Sequence, residues 1–241
     1  DVWVASGDGD SLSIGGNHLL HLLRRNVDLV YLLFNNEIYG LTKGQASPTS
    51  PVGQITPSTP RGSLDTPVHA GRFVLGCGAT FFARVPDVAQ AQLVDVMKQA
   101  HAHGGTGFVE ILQNCIVYND GAWGEVTGKA TAAERQLWCR HGEPLRFGKD
   151  GSKALRLNPR ALALEVFTPG ADGDEGEILV HDETNPTLAT MLVELAEPLA
   201  LGVVHRREAP IVERLMAAAR PQRNADVQSL LDGIDSWTVA S

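Results

Sequence analysis

The sequence predicts an α/β fold, a mostly parallel sheet covered by helices, and three observations carry that expectation. Residues 2–5 (VWVA) form a short apolar run that ends in a glycine-rich stretch, SGDGD at 6–10. Residues 12–25 then show helical spacing through Leu19, Leu20, Leu22 and Leu23, with Arg24 and Arg25 suited to the negative end of a helix. Residues 28–34 (DLVYLLF) are near-continuously apolar, as expected for a strand covered on both faces. Strand, glycine loop, helix and strand make a βαβ unit, which implies parallel strands.

The remaining elements follow in order. Residues 43–67, rich in Pro, Ser, Thr and Gly, lack periodicity and are long for a connection, so a functional or partner-facing loop is expected. Residues 73–84 read as a short helix and then a strand, 88–103 as a helix closed by Gly104 and Gly105, and 106–112 (TGFVEIL) as a buried strand. Residues 119–159 are polar and irregular and read as an extension over the sheet or a partner. Residues 172–177 (DGDEGE) read as a solvated acidic turn, 185–195 and 211–219 as short amphipathic helices, and the remainder as a terminal tail. The expected division is 1–118 as the α/β domain and 119–241 as extension and tail.

Composition narrows the function. The 241 residues carry a net charge of −8 with no Lys/Arg cluster longer than a pair, which argues against a nucleic-acid-binding protein. No segment approaches the ~20 apolar residues of a membrane span. Cys77, Cys115 and Cys139 lie far apart without a CxxC pair, which excludes a disulfide scaffold or a zinc ribbon. The opening at Asp1, directly into a core-like strand, reads as part of a longer chain whose domain begins upstream.

Two loops could carry chemistry. GDGD at 7–10 and Asn35-Asn36 are separated by one helix and one strand, which brings Asp8 and Asn36 to the same edge of a parallel sheet, where ligands bind in such folds. Taken singly, a GDG turn and an Asn pair are ordinary loop chemistry. Together, a carboxylate, an amide oxygen and a backbone carbonyl are the hard oxygen ligands that Mg²⁺ takes, with a phosphate-bearing cofactor completing the octahedron. Glycines on either side of Asp8 would let the backbone approach a diphosphate.

GDG, about 25 residues, then NN resembles the thiamine diphosphate fingerprint. GDGDSLSIGGNH and NNEIYGLTKGQASPTS look like the β subunit of the 2-oxoacid:ferredoxin oxidoreductases, and FVEILQNCIVYNDGAW and HGEPLRFG look like the 2-oxoglutarate branch of that family. The resemblance covers residues 2–150. It implies a thiamine diphosphate-binding fold, with Asp8, the Asn36 side chain and the Ile38 carbonyl as magnesium ligands. It also implies that Gly7, Gly9, Asp10, Gly40, Leu41 and Thr42 line the cofactor, that Leu41 presses on the thiazolium, and that Lys43 pairs with the substrate carboxylate. Read without it, Lys43 is a solvated loop charge.

Cys115 is similar to the last of four cysteines that hold a 4Fe–4S cluster in the family, the other three lying upstream of the GDGD loop. Without the resemblance it reads as a structural thiol, as Cys77 and Cys139 do. His18 could face phosphates or pack, and His101 and His103 do not form a two-point metal site. The implied activity is cytoplasmic, coenzyme A-dependent oxidation of a 2-oxoacid. The implied partners are an α subunit in an αβ dimer of dimers, which supplies the glutamate that activates the cofactor, and ferredoxin. The rivals are a pyruvate or broad-range enzyme, a non-oxidative thiamine decarboxylase or synthase subunit without a cluster, and an electron-transfer or assembly module that has lost catalysis.

Overall fold

The computed structural model describes residues 1–220, 228, 231–233 and 237; the terminal tail expected after residue 219 falls almost wholly outside them. In chain order come β1 (Trp3–Gly7), α1 (Asp8–Leu12), α2 (Gly16–Arg25), β2 (Leu29–Asn35), β3 (Ile38–Tyr39) and β4 (Gln45–Ala46). Next are α3 (Ala70–Gly76), β5 (Phe81–Pro86), α4 (Gln90–Ala102), β6 (Thr106–Leu112), α5 (Gly124–Thr127), α6 (Ala132–Arg135) and β7 (Gln136–Cys139). The described chain continues through β8 (Arg146–Phe147), β9 (Lys153–Asn158), β10 (Ala163–Phe167), α7 (Pro186–Glu194), β11 (Leu199–Arg206) and α8 (Val212–Ala219).

A six-stranded sheet runs β1-β2-β6-β5-β11-β7; β11 is antiparallel to β5, and the other pairings are parallel. Alternating residues of its strands feed two cores. Tyr31, Leu33, Phe82 and Phe108 pack with Leu19 and Leu23 of α2, Val74 of α3 and Leu188 and Leu192 of α7. Val30, Leu32, Phe81, Ala83, Val109 and Ile111 meet Val96 and Ala100 of α4 on the opposite face. That two-sided burial explains why the strands read as unbroken apolar runs.

Several expectations change in detail. The first strand runs on to Gly7, and Asp8 already begins a helix, so the glycine loop is the junction itself. The helix expected over 12–25 is two. The Gly15 N–H closes onto the Asp10 carbonyl at 2.8 Å, and a Cβ at Gly15 would lie 2.5 Å from that oxygen, so the chain breaks there and restarts at Gly16. The helix expected from residue 73 begins at Ala70. Within the segment read as irregular, β7 joins the main sheet beside β11, while β8 and β9 form a small antiparallel sheet with β10. β7 and β8, of four and two residues, are too short to show a periodicity. The acidic turn is a 3-10 turn at Glu175–Glu177 with a capping box from Asp174.

Candidate cofactor and metal site

β1 and β2 are adjacent and parallel, with Gly7 in register with Phe34, so their carboxyl ends open side by side. Asp8 sits at the first of these ends, only 1% exposed. Its Oδ2 accepts the Thr49 hydroxyl at 2.6 Å, and its Oδ1 faces the Asn36 N–H at 3.4 Å. Burial raises its pKa, opposed by hydrogen bonds from the Ser47 and Thr49 hydroxyls and from the Asn36 backbone. The adjoining Glu37, at φ +57°, is pushed up to about 7 by burial and by the charges of Asp8 and Glu110.

The oxygens converge. The Asn36 amide oxygen lies 2.8 Å from the Ile38 carbonyl oxygen and 3.2 Å from Asp8 Oδ1, with the Ile38 N–H, at 3.4 Å, its hydrogen-bond donor. Turning the amide by half a revolution would instead aim its NH₂ group at both oxygens. The oxygen-inward amide sets the Asn36 oxygen against two other acceptors, a repulsion that either a cation between them or the turned amide would relieve. Mg–O bonds near 2.1 Å place neighbouring corners of an octahedron about 3.0 Å apart. The Asn36 oxygen stands near that spacing from both the Ile38 and the Asp8 oxygens, so the residues present fit a magnesium ion, with the oxygen-inward amide as its ligand and the NH₂-inward amide as the metal-free alternative.

Gly9 has a second reason to be glycine. The Tyr39 ring lies over it, a Cβ there would come within 2.3 Å of the ring, and the Tyr39 hydroxyl donates to the Gly9 carbonyl at 2.9 Å. Gly7 has open space around its Cβ direction. Asp10 is exposed on the first turn of α1, where the N–H groups have no intrahelical acceptor.

β3 and β4 form a small hairpin whose tip carries the next predicted residues. The Lys43 N–H donates to the Gly40 carbonyl at 3.0 Å and the Gly44 N–H to the Tyr39 carbonyl at 2.8 Å. Leu41 is 100% exposed at that tip. The Thr42 hydroxyl donates to Gln45 Oε1 at 2.5 Å. Lys43 is exposed, in the left-handed region at φ +76°, with no ion pair among the described residues. His18 is exposed on α2; His101 stacks on Trp3, and His103 bonds the Thr80 hydroxyl.

Cys115 lies beside this hairpin, its Sγ 3.9 Å from where a Gly40 Cβ would be. Cys139 is buried, its thiol pushed up to about 12 by burial, and burial also raises Cys77. Among the described residues no three His, Cys, Asp or Glu side chains group as a metal site.

Sequence reasoning missed the residues that hold the loops in place. The Asn35 carbonyl accepts Trp123 Nε1 at 2.8 Å and the Gln113 N–H at 2.9 Å, and the Asn36 carbonyl accepts Asn119 Nδ2 at 2.9 Å. Thr49, Tyr39, Asn119 and Trp123 gave no signal beyond ordinary loop composition. The expected functional loop at 43–67 does turn inward: Ser47, Thr49 and Ser50 are buried against the cradle.

Comparison with known proteins places these features. Residues 1–111 match the model of the thiamine pyrophosphate enzyme C-terminal TPP-binding domain. The 2-oxoglutarate oxidoreductase subunit KorB of Mycobacterium tuberculosis is 45% identical over 99% of this chain and 66% of its own length. The 2-oxoglutarate synthase subunit KorB of Methanothermobacter thermautotrophicus is 34% identical over 77% of this chain and 57% of its own. The chain belongs to the β subunits of the 2-oxoacid:ferredoxin oxidoreductases. Among solved structures, this β-subunit chain resembles a 2-oxoglutarate:ferredoxin oxidoreductase from Magnetococcus marinus with 2-oxoglutarate, coenzyme A and succinyl-CoA bound. The TM-score is 0.68 at 26% identity, covering 96% of this chain and 67% of that one. The chain thus spans just under two thirds of the first curated relative's length and just over half of the second's.

Proposed function

We propose that this β subunit supports thiamine diphosphate-dependent, coenzyme A-dependent oxidative decarboxylation of 2-oxoglutarate to succinyl-CoA and carbon dioxide. The two electrons leave through a 4Fe–4S cluster to ferredoxin, and the reaction is reversible. The observation that carries the reading is the Asp8–Asn36–Ile38 oxygen cradle at the ends of β1 and β2. The relatives' 2-oxoglutarate names support the substrate. A cytoplasmic setting is supported by three unpaired cysteines.

In this reading Asp8, Asn36 and the Ile38 carbonyl hold Mg²⁺ against the diphosphate. Gly9 and Asp10 on the first turn of α1, with Gly7 at the end of β1, would hold its oxygens, and Gly40, Leu41 and Thr42 would line the cofactor. When bound, thiamine diphosphate supplies the nucleophilic carbon and the electron sink for loss of carbon dioxide. Leu41 offers the apolar contact that keeps the reaction centre dry, and Lys43 orients the substrate carboxylate. Cys115 supplies one cluster thiolate next to the same hairpin.

The cradle is half of a site. Leu41, Val52, Ile55, Leu64, Ile116 and Val117 are exposed around it. The Gln54–Asn119 hydrogen bond joins the loop of Val52, Ile55 and Leu64 to that of Ile116 and Val117, and the Gly53–Ser63 bond closes the first loop on itself. An apolar surface of this kind supports docking of the α subunit; because β7 and β11 belong to the main sheet, the expected division at residue 118 does not hold.

The test is anaerobic purification of the native complex and assay of coenzyme A-dependent viologen or ferredoxin reduction. Turnover with 2-oxoglutarate well above pyruvate is expected. Preference for pyruvate would correct the substrate, and no reduction despite bound thiamine diphosphate would leave the non-oxidative enzyme.

A further inference from the structure

Behind the cradle lies a buried charged pair that the mechanism above does not use. Arg84 on β5 and Glu110 on β6 are direct partners in the parallel register, and Arg84 Nε donates to Glu110 Oε2 at 2.6 Å. Their side chains are 7% and 2% exposed. They line, with Asn35, Glu37 and Thr49, a cavity of about 350 Å³ that shares the Thr49 wall with the metal cradle. Removing two charges from water is costly, and apolar residues of similar volume would often serve stability as well or better. Stability alone is therefore a weak reason for the pair.

Its second oxygen points to another reason. Glu110 Oε1 accepts Asn35 Nδ2 at 2.8 Å. A carboxylate only accepts, so the Asn35 amide has to present its nitrogen, and its oxygen is left buried without a partner. An orphaned buried amide oxygen is unfavourable, and this one persists because Glu110 fixes the amide's orientation. The main-chain carbonyl of the same residue is gripped by Trp123 Nε1 and the Gln113 N–H. Asn35 is thus locked at its side chain and its backbone, immediately before the residue whose amide oxygen faces Asp8 and Ile38.

We propose that Glu110, braced by Arg84, is a positioning residue for the metal site: through Asn35 it sets the chain at the end of β2 so that the Asn36 oxygen points at the cation. The inference rests on the reading of Asp8, Asn36 and Ile38 as magnesium ligands. Groups that orient metal ligands typically change metal affinity 10- to 100-fold when removed.

The experiment measures Mn²⁺ binding by electron paramagnetic resonance, in the presence of thiamine diphosphate, on the intact complex containing this chain, together with its melting temperature. Replacing the pair by apolar residues, Arg84→Met with Glu110→Met, is expected to leave the complex folded with a modest fall in melting temperature, because Asn35 Nδ2 loses its acceptor. The same double variant should raise the Mn²⁺ Kd about tenfold or more. Should it fail to fold, Glu110→Gln, which keeps the shape and loses one acceptor, is expected to raise the Kd in the same direction. An unchanged Mn²⁺ Kd in the folded variant overturns the proposal. Asp8→Ala separates the two readings. If it abolishes Mn²⁺ binding while the Glu110 variants do not weaken it, only the positioning role falls; if Asp8→Ala also binds Mn²⁺ normally, both fall.

Discussion

The Thr49 hydroxyl reaches across 41 positions of sequence to donate to Asp8 Oδ2 at 2.6 Å, leaving Oδ1 on the side of Asn36 and Ile38. The long polar loop thereby orients the carboxylate at the tip of β1. Thr49→Val, which keeps the shape and loses the donor, is expected to weaken Mg²⁺-dependent thiamine diphosphate binding about tenfold, as for other groups that orient metal ligands. Thr49→Ser is expected to retain it. Titration calorimetry compares the two, and equal affinities for wild type and Thr49→Val would refute the role.

Tyr39 and Gly9 make a steric prediction. Gly9→Ala drives a methyl into the Tyr39 ring, at a cost of about 1–3 kcal/mol for overpacking. Thermal unfolding should show that loss, and Gly9→Ala combined with Tyr39→Leu should recover part of it. A fully stable single variant would mean that the ring moves aside freely.

Lys43 separates fold from chemistry. It holds a left-handed conformation that costs a non-glycine residue about 1–2 kcal/mol. Lys43→Gly is therefore expected to raise the melting temperature while kcat/KM for the 2-oxoacid falls sharply. Unchanged kcat/KM would return Lys43 to the status of a solvated loop charge.

Cys115→Ala in the anaerobic complex is expected to bleach the visible absorption of the cluster and lower its iron content. Cys77→Ala should leave both intact, and so should Cys139→Ala, whose thiol lies in the core. Undiminished iron in Cys115→Ala would make that cysteine structural.

Histidines set the acid limit of the fold. Burial lowers His69, His181 and His205, and it lowers His103 to about 4, with Arg206 adding to the shift. A histidine with a depressed folded-state pKa takes up more protons when unfolded, so stability rises with pH through that window. Stability should thus be full above about pH 6.5 and decline as the pH falls toward 4. Urea unfolding at several pH values measures the slope, and His103→Gln, which can still reach the Thr80 hydroxyl, should flatten it.

The sequence by itself determined the βαβ core, the family and the approach of Asp8 to Asn36. One helix and one strand separate the GDGD junction from Asn35-Asn36, and in a parallel sheet that spacing places Asp8 beside Asn36. Local periodicity also reveals β2, β6 and α4, because burial on one or both faces writes itself into neighbouring residues.

Only the tertiary structure decided what holds those residues. Thr49 to Asp8, Asn119 to Asn36, Trp123 to Asn35 and Arg84 to Glu110 join residues 41, 83, 88 and 26 positions apart. It also decided that β7 and β11 complete the sheet, with β11 reversed against β5. Such contacts depend on how separate segments fold over one another, and hydrogen bonds from side chains to residues distant in sequence impose no period on either segment.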